Sequence, residues 1–110
     1  MFKLDQNADI SGTCLRAHIY VAPYRLIFLF GEPHEADGYK VSGRYTFTNE
    51  RGEVFTLYDW KCTSLYDPDR IRPDAFWNST IVRVFNIGSK TDTDASEFKA
   101  WLEGRLNGIT

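Results

Sequence analysis

Residues 39–48 read YKVSGRYTFT, and after a polar turn, NERGE, the chain returns as EVFTLYDWKCT. Tyr39, Val41, Tyr45 and Phe47 alternate with Lys40, Ser42, Arg44, Thr46 and Thr48, with Gly43 between them. That period of two places one set on a buried face and the other on a polar face. Two such runs joined by a turn rich in Asn and Gly predict an antiparallel hairpin. The hairpin requires a sheet with one apolar face, and the rest of the chain has to cover that face.

The other elements fit around it. In residues 10–21, ISGTCLRAHIYV, Leu15, Ala17 and Ile19 alternate with Arg16, His18 and Tyr20, which predicts a strand. Pro23 before the run Leu26–Phe30, then Gly31 and Pro33 after it, frame a short helix. A buried strand stays open there, because the run is apolar on all sides. Residues 64–79, SLYDPDRIRPDAFWNS, form a long loop with one helical turn around Asp74–Trp77, and TIVRVFNI at 80–87 is a strand. A final helix over 95–106 puts Phe98, Trp101, Leu102 and Leu106 on one stripe, with Asp94 and Glu97 as a capping-box variant. The expected fold is α+β, in the order β-α-β-β-β-α. It is a single compact domain over residues 1–110, with an antiparallel sheet of about four strands and two helices on one face. Val41, Tyr45 and Phe47 would meet both helices.

Composition narrows the function classes. Thirteen basic and fifteen acidic side chains leave a net charge of -2. This argues against a nucleic-acid arm, a polybasic membrane segment and a densely acidic DNA mimic. The aromatic share of 15% is high enough that some rings are expected to do more than fill a core. No stretch approaches the ~20 apolar residues of a membrane span. MFKLDQNADI lacks a signal-peptide core, so a soluble intracellular chain is expected. Cys14 and Cys62 are too few for a disulfide framework and read as buried thiols, and the Asn78-Ser79-Thr80 sequon carries no weight without secretion.

No nucleophile elbow, zinc spacing or phosphate loop occurs, and His18 and His34, the latter beside Glu35, read as solvent-facing. No catalytic residue, metal or cofactor is expected. Two stretches suggest ligand binding. Gly88, Ser89 and Lys90 run from a strand into a helix start, where free N–H groups attract anions. A plain connection capped by Asp92 and Asp94 is the alternative. On the polar face of the hairpin, Lys40, Arg44, Asp59, Trp60 and Lys61 could stack a base and hold its phosphates. A solvated face with cross-strand ion pairs is the alternative there. The 64–79 loop carries Tyr66, Arg70, Arg72, Phe76 and Trp77, the residue types of protein-interface hot spots. Rings that simply plug the core would give the same composition.

Several pieces in this order resemble small α+β proteins encoded by bacteriophages and prophages. They are ISGTCLRAHI before the short helix, LFGEP at its end, DGYK opening the next strand, YDWK closing the one after, and a late NIGSK turn. The resemblance covers most of the chain. Cys14, Ser89 in place of a second glycine, and the 64–79 loop depart from the pattern. The likeness implies a phage origin, an α+β fold and a place in the host cytoplasm. With small size and no catalytic motif, it leads to a non-enzymatic protein that counteracts a host defence system by binding a protein component, as an anti-CRISPR-like inhibitor does. The alternative is a sponge for a nucleotide-derived immune signal, a cyclic dinucleotide or an ADP-ribose derivative. Self-association is a further option in either case.

Overall fold

Among the described residues, three helices and five strands follow one another as β1 (Lys3–Leu4), β2 (Cys14–Val21), α1 (Pro23–Phe30), β3 (Arg44–Thr48), β4 (Val54–Tyr58), α2 (Pro73–Trp77), β5 (Arg83–Ser89) and α3 (Asp92–Asn107). This computed structural model describes residues 1–34 and 36–108, so Glu35 lies outside the described residues. The strands make one sheet in the order β1-β3-β4-β5-β2, and every pair is antiparallel. The α+β class and the antiparallel sheet are as expected. The strand count is one higher, because β1 is a two-residue edge strand, and α2 adds a third helix.

The local reasons are simple. Pro23 opens α1 and Gly31 ends it at φ 79°, with its N–H donating to the Ile27 carbonyl at 2.8 Å. Pro73 likewise opens α2. α3 is capped by Thr91, whose hydroxyl accepts from the Asp94 N–H at 3.1 Å. The expected cap at Asp94 is therefore corrected. Asp94 instead stands in the first turn with Asp92, where carboxylates favour the positive end of the helix.

The inner face of the sheet carries Ile19, Val21, Tyr45, Phe47, Phe55, Leu57, Phe85 and Ile87. Leu26 of α1, Phe76 and Trp77 of α2, and Phe98, Leu102 and Leu106 of α3 close over it as one cluster. Rings dominate the contact: Phe55 stacks on Phe98 at 5.1 Å, and Phe47 meets Phe98 at 5.0 Å. Trp101 packs on this core while only partly buried. Val41 is buried but stands outside the cluster, a departure from the expected face. The β3 ladder begins only at Arg44, so the alternation across 39–43 is not a strand.

Candidate functional site

Among the described residues no helix covers the outer face of the sheet. Thr46, Thr56, Asn86 and Gly88 lie on it, yet all are buried. The segment after β1 covers part of it. The Asp5 N–H donates to the Thr46 carbonyl at 2.7 Å, and the Gln6 Oε1 accepts from the Thr46 N–H at 2.9 Å. The Thr13 hydroxyl donates to the Ile10 carbonyl at 2.8 Å, shaping the entry to β2. Beside this segment remains a cleft of about 240 Å³, with Thr13, Arg44, Thr56, Tyr58, Trp60 and Gly88 in its wall. Cys14, Leu15 and Val41 line it as well.

Gly88 sets the depth of this cleft. A Cβ there would collide with the Thr56 Oγ1 and stand 3.4 Å from the Cys14 carbonyl oxygen. The glycine is inside β5, paired with Thr56 on one side and Leu15 on the other. Its role is close approach of strands, not the approach of backbone to a bound anion expected of the 88–90 stretch.

Arg44 is the charge in the wall. It pairs across the ladder with Tyr58. Its Nε is buried without a hydrogen-bond partner, and it joins no ion pair among the described residues. Burying such a donor unmatched carries a desolvation cost of ~1–3 kcal/mol, and Gln6 Nε2 and Arg83 Nε are buried unmatched in the same way. Trp60 stands at the rim, 46% exposed. Lys40 Nζ lies 5.8 Å and Lys61 Nζ 5.7 Å from its ring centroid. Lys61 also lies 5.0 Å from the Tyr66 ring, which packs on Tyr39 at 5.2 Å. The hairpin residues Lys40, Arg44, Trp60 and Lys61 are thus brought together.

Asp59 is not among the exposed groups, which corrects its assignment as a ligand contact. It is fully buried. Its Oδ1 accepts from the Ser42 N–H at 2.9 Å and the Gly43 N–H at 3.0 Å, and its Oδ2 accepts from the Ser42 hydroxyl at 2.9 Å. Burial pushes its carboxyl above the ordinary range, against the pull of those bonds. The same Ser42 hydroxyl accepts from the Trp77 indole N–H at 3.0 Å. Asp37 holds the other end of the 37–43 segment. It accepts from the Tyr39 and Val41 N–H groups at 2.8 and 2.9 Å, and the Val41 bond in particular lowers its carboxyl below the usual range. Lys61 takes φ 59°, a left-handed conformation for a non-glycine residue, and its N–H donates to the Lys40 carbonyl at 2.6 Å. That bend turns the chain after β4 and leaves Trp60 at the rim.

The expected anion site at 88–90 does not assemble. Ser89 is buried, and its hydroxyl donates to the Thr91 carbonyl at 2.6 Å. Arg16 donates to the Ser89 and Lys90 carbonyls at 3.2 and 2.7 Å and reaches Asp92 at 3.6 Å. Lys90 is exposed on a separate depression of mixed charge, which it shares with Met1, Lys3, Asp5, Asp9 and Glu50. The loop patch divides too. Phe76 and Trp77 are core residues, at 0% and 6% exposure, and are not surface anchors. The apolar side of α2 has to be buried somewhere, and the nearest apolar surface is Phe85 and Tyr45. Arg70 and Arg72 are exposed, facing Asp67 at 3.7 Å and Asp74 at 3.4 Å, and Tyr66 is half-buried.

Cys14 is exposed and Cys62 half-buried, so neither is the fully buried thiol expected. Cys14 stands at the open end of β2, against the cleft. Tyr58, Thr56 and Leu15 were not among the expected site residues, while the ISGT stretch at 10–13, which includes Thr13, has the small, polar character of the 88–90 stretch. Alternation along β4 could have placed Thr56 and Tyr58 beside Arg44, but the crossing of the N-terminal segment leaves no local signal. Among the described residues no group of three His, Cys, Asp or Glu is placed to hold a metal, and no helix is long and apolar enough to cross a membrane. Set against known proteins, the chain matches no family model and no curated protein.

Proposed function

We propose that this chain is a non-enzymatic binding protein whose cleft takes a small anionic, ring-bearing molecule. The observation that carries this reading is the side chain of Arg44, which joins no ion pair among the described residues, in the wall of a cleft whose rim is the half-exposed indole of Trp60. Arg supplies directed donors to a phosphate, and an exposed indole supplies a face for a base. The volume, about 240 Å³, falls just under the ~300–1,000 Å³ of sites that enclose a whole drug-sized ligand. It therefore suits one part of a ligand, with the rest lying across Trp60 between Lys40 and Lys61. Together with the resemblance to phage-encoded proteins, this favours a sponge for a nucleotide-derived signal of host defence, a cyclic dinucleotide or an ADP-ribose derivative. The reading as an inhibitor that binds a host defence protein loses two of its five loop anchors to the core, Phe76 and Trp77.

The test is thermal. A ligand bound at a hundred times its Kd stabilises the fold by ~2.7 kcal/mol, which shows as a raised Tm. The protein is melted with a panel of cyclic dinucleotides and ADP-ribose derivatives, and the ligand is recovered afterwards by chromatography. Binding with the ligand intact is the expected result. Arg44→Met and Trp60→Ala should each weaken it by at least ~10-fold, and Lys90→Ala should leave it unchanged. No Tm shift with any member of the panel overturns the sponge. New products in the chromatogram overturn the non-enzymatic reading.

A further inference from the structure

The sheet has two edges of very different kinds. The β1 edge is two residues long, whereas the β2 edge runs for eight, from Cys14 to Val21, and among the described residues β2 pairs only with β5. A long strand edge offers backbone N–H and C=O groups to another strand. Proteins that leave such an edge in water usually break it with proline, lysine or a charge aimed along it. Residues 17–21, Ala-His-Ile-Tyr-Val, hold none of these. The one charge in β2, Arg16, is turned back onto the Ser89 and Lys90 carbonyls and Asp92. A bulge between Leu15 and Ala17 separates residues 17–21 from the end of the strand that borders the cleft.

We infer that a second copy of this chain pairs with the β2 edge, antiparallel and about a two-fold axis at Ile19. In that register Ile19 faces the Ile19 of the second copy, His18 faces its Tyr20, and Ala17 faces its Val21. Every such pair stays on its own side of the sheet. Ile19 and Val21 are buried on the inner face, and His18 and Tyr20 are exposed on the outer one, Tyr20 at 72%. The two five-stranded sheets would then run on as one. A groove of about 370 Å³ already lies along this edge, between Ile19 and Val21 on one side and Arg25, Glu103 and Asn107 on the other. Arg25 and Glu103 form no ion pair within the chain among the described residues. One basic and one acidic side chain on the same groove make it self-complementary in charge, which is what a two-fold contact needs. This is what commits the edge to a second copy rather than to a foreign strand. The inference is independent of the cleft, whose wall uses none of residues 17–21.

Sedimentation equilibrium tests it directly. The expected result is a reversible species at twice the 12.7 kDa of the chain. Replacing His18 and Tyr20 together by Glu sets like charges opposite each other across the two-fold, and should weaken association by at least ~10-fold while the circular dichroism spectrum and Tm of the monomer stay as they are. Should that double variant fail to fold, amide exchange of the unaltered chain decides: protection at 17–21 must rise with protein concentration. A 12.7 kDa species at all concentrations up to the solubility limit overturns the proposal. So does a dimer untouched by the two glutamates, exchange at 17–21 that ignores concentration, or an edge protected only when a foreign extended peptide is added.

Discussion

The two faces of this sheet solve opposite problems. The inner face is covered by three helices and filled with rings and branched chains, so its residues are chosen by volume. The outer face carries Thr46, Thr56 and Gly88, is crossed by one irregular segment, and keeps a cleft with a cation in its wall. Its residues are chosen by smallness and polarity. The inner face converts burial into stability, while the outer one leaves the charge of Arg44 without an ion pair among the described residues, in the wall of an open cleft. The seam between them is Asp59, which is buried at the exit of β4 and ties the 42–43 backbone to the indole of α2.

Substitutions on the two faces should therefore differ in kind. The largest effect is expected at Phe98, which touches Phe2, Phe47 and Phe55. Phe98→Ala should cost ~3–5 kcal/mol, read as a lower urea midpoint with no change in the ligand preference of whatever remains folded. Gly88→Ala should cost less, ~1–3 kcal/mol, because the new methyl meets the Thr56 hydroxyl and the Cys14 carbonyl. Adding Thr56→Ala should recover part of that loss, and simple additivity of the two changes would break the argument from strand approach. Smaller again is the change at the seam. The folded state raises the Asp59 pKa, so it holds the proton more tightly than the unfolded chain does. Its stabilising contribution is fully present below the unfolded carboxylate pKa of ~3.9 and is lost as pH rises through the folded value. Asp59→Asn is neutral throughout, so the advantage of the native chain over it should shrink on going from acid to neutral pH in paired urea titrations. An advantage that grows instead would mean that the ionised form is the favoured one.

Much of this could be read along the chain, and the misreadings have causes. Pro23 and Gly31 bracket α1, and the Phe98–Leu102–Leu106 stripe marks α3, because both signals are local. The apparent strand across 39–43 fails for a reason invisible in alternation. The N–H groups of Tyr39, Val41, Ser42 and Gly43 are taken by the carboxylates of Asp37 and Asp59 rather than by a neighbouring strand. β1 has no propensity to speak of and exists only through its pairing with Thr48 and Phe47. In the site, Arg44, Trp60 and Lys61 were legible because one hairpin carries them. The meeting of Ile10, Thr13 and Leu15 with them was not, because these reach the cleft through the pairing of β2 with β5 and the folding-over of the N-terminal segment.

The Asp59–Ser42–Trp77 relay has an optical consequence. The chain has three tryptophans, and each sits in a different place: Trp60 on the rim, Trp77 behind the relay, Trp101 on the core. Anything that settles on Trp60 changes an indole half open to water. Anything that shifts the 42–43 backbone changes the hydrogen bond of a second indole that the visitor never touches. The emission of this protein is therefore a two-channel record, in which a red-edge change without a change at Trp77 marks a ligand at rest on the rim, and movement in both marks one that has reached the strand ends beneath it.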